Sequence, residues 1–213
     1  SQYTGTGSNA TVGHGLGAAP GLIILKNLTT SRNWQILHHK NTSAPATQQL
    51  EFATDATATV TSQWNSVMPT SSVFSIGTND STNKSNDKFI AYCFAEKTGY
   101  SKFSSYIGNG NVNGTFCFTG MKPSFVMVKR TNGSASWEIR DNKRKPFSDT
   151  NAKRLFPDSN SAESSNSEVI EKLSNGFKIR STGAGHNANN GNYIYIAFGQ
   201  SLVGTNNIPA TAR

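Results

Sequence analysis

"PGLIILKN" at residues 20–27 and "PSFVMVKR" at residues 123–130 are two versions of one phrase: a proline, a small residue, four apolar residues and a lysine. They stand 103 residues apart, and other landmarks keep that spacing. Tyr3, Gly5 and Gly7 match Tyr106, Gly108 and Gly110, and Gly17 matches Gly120. Trp34 and Ile36 match Trp137 and Ile139, and Phe74 and Ile76 match Phe177 and Ile179. One inserted residue then moves the spacing to 104, so Asn83 matches Asn187 and "FIAYCF" (89–94) matches "YIYIAF" (193–198). Landmarks in the same order with one small shift indicate a tandem duplication. A period this long is too large for a solenoid of small repeats, and each copy is long enough to be a small domain.

The copies follow one plan. A Tyr-Gly opening leads through a Gly/Pro turn to the apolar run. A polar hairpin leads to "WQILHH" or "WEIRD", and a stretch that differs between copies follows (41–72 and 142–174). An alternating strand, "VFSIG" or "GFKIRS", an Asn/Gly/Ser loop and a final strand rich in aromatics complete the copy. Asn, Ser and Thr make up one third of the chain, and no long segment carries a 3.6-residue apolar period. The nearest approach to a helix is 166–176, for a turn or two. Short strands split by turn signals predict an all-β chain of two tandem related β-sandwich units, jelly-roll or lectin-like. The expected divisions are 1–104, 105–203 and a tail at 204–213. The last strand of each copy, the most apolar, belongs in the middle of its sheet, and the variable stretches belong on the surface.

The formal net charge is +8, most of it in the second half, and "RDNKRKPF" (140–147) is the densest basic patch. Such a patch can attract a polyanion, but it is also an ordinary solvated loop, and it lacks the interleaved aromatics of a nucleic-acid groove. Nucleic acid is therefore not the expected partner. Cys93 and Cys117 lie in strand-like segments without a second cysteine or histidine at ligand spacing. They read as buried thiols, with a single disulfide left open. No apolar stretch is long enough to span a membrane, and no charged start with an apolar core marks a signal peptide. The chain opens already inside its first copy, which suggests part of a longer polypeptide.

Chemistry is sparsely signalled. The 12 acidic residues form no evident pair, and no nucleophile or phosphate-loop motif occurs. Adjacent His38 and His39 point to opposite faces of a strand and cannot share a metal from regular geometry. No cofactor is called for. Trp34 and Trp137 share an apolar face with an isoleucine two residues on and read as core, although an indole can also stack on a sugar ring. Trp64 has no counterpart in the second copy and is the better candidate for an exposed contact. The remaining ligand-binding candidates are His38 and His39, which follow "WQIL", Arg140 and Asp141, which follow "WEI", and Lys143, Arg144 and Lys145 of the basic patch.

Taken together, "YIGNG", "FTGMKPSFVMVKRT", "WEIRDNKR", "LSNGFKIRS" and "NYIYIAF" in the second copy resemble a repeated module of tail-fibre and other virion proteins of tailed bacteriophages, common in marine phages. "HGLGAAPGLIILKN" with "KFIAYCFAEKTGYSKFSSYIGNG" is similar to the partner half of that module, and "VGTNNIPATAR" to its C-terminus. The resemblance implies a non-enzymatic role in the virion, host attachment or fibre structure, within a homotrimer and beside other virion proteins. Under that reading the partner is a host cell-surface polysaccharide, held by weak contacts multiplied over several copies. The alternative is a purely structural fibre or particle-decoration module without a ligand.

Overall fold

The computed structural model describes residues 1–144, 151–167 and 170–200. The chain is nearly all β, in antiparallel sheets. It divides into two compact units, one of Ser1–Ala53 with Thr57–Ala95, the other of Thr54–Ala56 with the chain from Glu96 onward. The expected boundary at 104/105 falls inside a strand, Ser101–Ile107, that belongs wholly to the second unit. The expected tail at 204–213 lies outside the described residues.

In the first unit, β1 (Gln2–Thr4), β2 (Ala10–Gly13), β3 (Leu22–Asn27) and β4 (Gln35–His38) are followed by the short pair β5 (Gln48–Gln49) and β6 (Ala58–Thr59). Then come β7 (Val73–Ile76), the one-turn helix α1 (Asp80–Asn83) and β8 (Lys88–Phe94). The main sheet has the order β1-β8-β3-β4, and β2 pairs with β7. The second unit contains β9 (Ser101–Ile107), β10 (Phe116–Phe118), β11 (Lys122–Arg130), β12 (Glu138–Asp141), β13 (Asn151–Arg154), β14 (Ser164–Ser167), β15 (Ile170–Leu173), β16 (Gly176–Ile179), α2 (Ala184–Asn187) and β17 (Asn192–Gln200). Its main sheet runs β9-β17-β11-β12, the same order with the same roles, and β10, β16 and β15 form a second sheet. The apolar closing strands β8 and β17 occupy central positions, as their composition predicts, because a central strand is covered by neighbours on both edges.

Each unit has an apolar cluster fed from its main sheet and a second sheet. In the first, Ile23 and Leu25 of β3, Leu37 of β4 and Phe89 and Ala91 of β8 meet Phe74 and Ile76 of β7. In the second, Val126 and Val128 of β11 and Tyr193, Tyr195 and Ala197 of β17 meet Cys117, Ile170, Phe177 and Ile179. Alternation along each strand sends every second side chain into that layer. Cys93 and Cys117 are both free thiols, and burial pushes Cys117 up to about 12.

The duplication extends to single contacts. Tyr3 stacks on Phe89 at 5.0 Å and donates to Thr82 O; Tyr106 stacks on Tyr193 at 4.9 Å and donates to His186 O. Asn83, fully buried, donates to Ser8 O and Gly77 O and accepts from Thr6 N. Asn187 donates to Asn111 O and Ser181 O and accepts from Asn109 N. Each Asn thus ties the opening loop to the helical turn, satisfying groups that would otherwise be buried without partners. A Cβ on Gly5 would lie 2.0 Å from Lys84 O, and one on Gly108 2.3 Å from Ala188 O, so only glycine permits this crossing in either copy. The lysine of the repeated phrase has one job in both units. Lys26 donates to Arg32 O and Lys129 to Ala135 O, bracing the hairpin that leads to the next strand. Lys129 is fully buried, also donates to Thr54 O at 2.9 Å, and burial lowers its ammonium to about 8.

The variable stretches depart from expectation. Part of 41–72 is interior: Ala46, Leu50, Gln63 and Trp64 are buried. The stretch 166–176, expected to hold a helical turn, is instead strand and turn in its described part from Ile170 on, β15 and β16 forming a hairpin in which Leu173 pairs with Gly176. The β-branched Ile170, buried in the core, and the Ser174-Asn175 turn suit that hairpin and outweigh the helix-forming Glu and Lys.

Candidate functional site

Glu138 opens β12 and faces inward, one residue after the fully buried Trp137. Two residues on, Arg140 lies on the same face, and both are nearly inaccessible. Arg140 donates to Glu138 Oε1 through Nε at 2.6 Å, and its Nη2 lies 2.5 Å from the same oxygen as an ion pair. Arg154, at the end of β13, donates through Nη1 to Oε2 at 3.1 Å, and His186 of α2 places Nε2 2.6 Å from the same oxygen. The carboxylate therefore accepts from three side chains on three separate elements, which occupies most of its acceptor capacity. Burial alone would raise the Glu138 carboxyl, but the hydrogen bond and charge of His186 and the Arg140 guanidinium outweigh it and hold it down to about 2.

That depression has a consequence for acid stability. The folded form holds its proton less tightly than the unfolded chain does, so the carboxylate's contribution is present above about pH 4.3 and fades as pH falls toward about 2. A plot of thermal midpoint against pH is expected to bend downward across that interval, and Glu138→Gln is expected to flatten the bend. An unchanged acid limb in the variant would show that other carboxylates set it.

The network forms one wall of a cleft of about 300 Å³, lined by Ser136, Glu138, Arg154, Phe156, Ser181, Gly183, Gly185 and His186. Arg154 is anchored on its far side by Ser164 Oγ at 3.0 Å, and its guanidinium lies 4.9 Å from the centre of the Phe156 ring. About a quarter of the Arg154 side chain remains exposed, against 4 % for Glu138.

The first unit explains why this cleft is open. Its matching space is filled by the chain itself. Ser62 O accepts from Asn79 N at 3.1 Å, and Gln63 O accepts from Gly77 N at 3.0 Å and from the Thr82 hydroxyl at 3.0 Å. The Gln63 amide bonds to Gln35, which holds the position of Glu138, and Trp64 fills the core beside it. A Cβ on Gly77 would lie 2.0 Å from Ser62 O, so the plug needs glycine there. The second unit carries Arg180 at that position. The same plug is sterically excluded, and Gly183 and Gly185 leave the cleft wall without side chains above it.

The structure redistributes the candidates. Trp64 is completely buried, which corrects its assignment as an exposed contact. A turn with Asn65 and Ser66 in left-handed conformation (φ 52° and 54°) folds the indole inward rather than presenting it. His38 is also buried, with Nδ1 accepting from Lys40 N, and His39 lies beside it at 5.7 Å between ring centres. Neither forms part of the cleft. Trp137 is core as expected, whereas Trp34 is half-buried against Lys26 and Tyr92. Two of the basic side chains of the patch are paired: Arg140 turns inward to Glu138, and Arg144 pairs with Asp141 at 2.8 Å and Glu163 at 2.9 Å. Asp141 also caps the following turn through Lys143 N and Arg144 N, and Lys143 is exposed. Lys145 lies outside the described residues. Of the described candidates, only Arg140 touches the network. Glu138, Arg154, Phe156 and His186 went unread in the sequence, although a comparison of the copies position by position would have marked Gln35 against Glu138 and Gly77 against Arg180.

A family model described as a domain of unknown function, DUF7483, matches residues 1–201, so both units and their shared plan fall within one match. The chain belongs to the DUF7483 family. No curated protein and no solved structure matches it. The match spans both copies, so the duplication lies inside this DUF7483 domain. Among its described residues no helix is long and apolar enough to cross a membrane.

Proposed function

We propose that this DUF7483 domain is a virion module of a tailed phage, part of a tail fibre, that attaches to the host surface through a polysaccharide bound in the cleft of the second unit. The observation that carries the reading is the contrast between copies: one scaffold, plugged in the first unit and open and polar in the second. The two-layer core of each unit supports the reading of tandem sandwiches, a rigid base on which loops carry function. The fibre context rests on the resemblance of the repeated phrases. Purified oligomer on a glycan array, at low and high salt, tests it. Selective binding that survives salt is expected, because a shaped cleft is screened less than a surface charge patch.

A second reading, a structural module without ligand, draws on the edge strand β10. It presents Phe116 and Phe118, 44 % and 63 % exposed, beside Ile107 and Val112, a surface suited to another copy of the chain. A confirmed oligomer that binds no glycan would transfer the assignment to this reading.

A further inference from the structure

We propose that the cleft takes a carboxylate-bearing sugar unit, with the carboxylate on Arg154 and the ring against Phe156. The proposal rests on the attachment reading and names its ligand class.

Charge comes first. Two guanidinium groups, Arg140 and Arg154, converge on the single carboxylate of Glu138, which leaves the wall positive even with His186 neutral. Glu138 already accepts from all three partners, so it offers little to a donor group on a ligand. A cationic or amino sugar therefore gains nothing here, and an anion gains the exposed part of Arg154. The guanidinium is held in place by Glu138, Ser164 and the Phe156 ring, so little side-chain freedom is lost on binding.

The contrast with the first unit shows where the space lies. In the first unit the corresponding space is occupied by acceptor oxygens, the carbonyls of Ser62 and Gln63, which take hydrogen bonds from the loop that leads into α1. The plug is thus a built-in example of what this loop holds. In the second unit Arg180 excludes the chain's own plug, Gly183 N turns to Ser181 Oγ at 2.9 Å and His186 Nε2 to Glu138, and the space between them is left open. The hydroxyls of Ser136 and Ser181 line the same space and can meet sugar hydroxyls in either direction. The volume, about 300 Å³, is at the small end of ligand sites and suits a short sugar segment rather than a folded partner.

The test is a titration of isotope-labelled protein, followed by backbone and arginine side-chain NMR, with D-glucuronate and in parallel D-glucose. Glucuronate is expected to shift Arg154, Gly183, Gly185 and His186, and to bind about tenfold or more tightly than glucose. Arg154→Gln should remove that preference. Because Arg154 also supports the network, Gly185→Phe serves as a second variant. A Cβ there meets nothing within 4 Å and its backbone is not left-handed, so the ring can fill the cleft without disturbing the fold. It should abolish the shifts while leaving the thermal midpoint unchanged. Equal binding of both sugars in the cleft would overturn the acidic-sugar assignment and leave attachment standing. Binding that Gly185→Phe does not affect would place the site elsewhere and overturn the proposal. Glycan-array binding with no cleft shift from either sugar would also overturn it, and no binding in either assay would remove the attachment reading with it.

Discussion

Replacing Glu138 with alanine is expected to destabilise the protein by about 3–5 kcal/mol, measured by urea denaturation. The loss does not measure the worth of the ion pairs. Drawing charges out of water costs several kcal/mol per ion, and Arg140, 2 % exposed, has Glu138 facing it at 2.5 Å. Without the carboxylate, Arg140 stays buried without that counter-charge, and His186 loses the partner of its Nε2. Trp137, immediately before Glu138 and fully buried, provides a fluorescence report on the unfolding of the second unit. Coupling can be isolated with a double-mutant cycle between Glu138→Gln and Arg154→Gln, two groups 3.1 Å apart. A loss under about 1 kcal/mol would place these residues with ordinary solvated pairs, whose contribution is of that size.

Trp64→Ala is expected to cost a similar amount, about 3–5 kcal/mol, because it empties the largest buried side chain of the first unit's core. An exposed indole gives a different result: substitutions on the surface stay within about 0.5 kcal/mol. Trp64→Phe should lose much less than alanine. The indole Nε1 is buried without a hydrogen-bond partner among the described residues, so phenylalanine removes an unsatisfied donor as it gives up volume. Thermal midpoints of the three proteins decide the matter. Glycan binding per folded molecule should be unchanged, since Trp64 belongs to the unit whose space is already filled. A Trp64→Ala protein of normal stability that fails to bind would restore the indole as a contact residue and sink the plug account.

The sequence by itself determined the duplication, the all-β class and the central place of the closing strands. Those properties follow from periodicity and from landmarks such as Gly5 and Gly108, whose identity is set by a backbone crossing that admits no Cβ. Burial along a strand is likewise a local property, which is why Trp137 and the repeated lysine phrase could be recognised as scaffold. The cleft was decided elsewhere. Glu138, Arg154 and His186 come from three segments separated by 16 and 32 residues along the chain, and nothing in their local patterns relates them. Trp64, polar-flanked and unmatched, carries the local pattern of a surface residue. Only the tertiary structure shows that 62–64 folds back onto the loop before α1. Whether such a segment plugs its unit depends on one backbone contact, Gly77 against Ser62 O, and the second unit answers it with Arg180. Strand patterns record which side of a sheet a residue faces. The space between segments is set by what each position leaves free when distant parts of the chain come together.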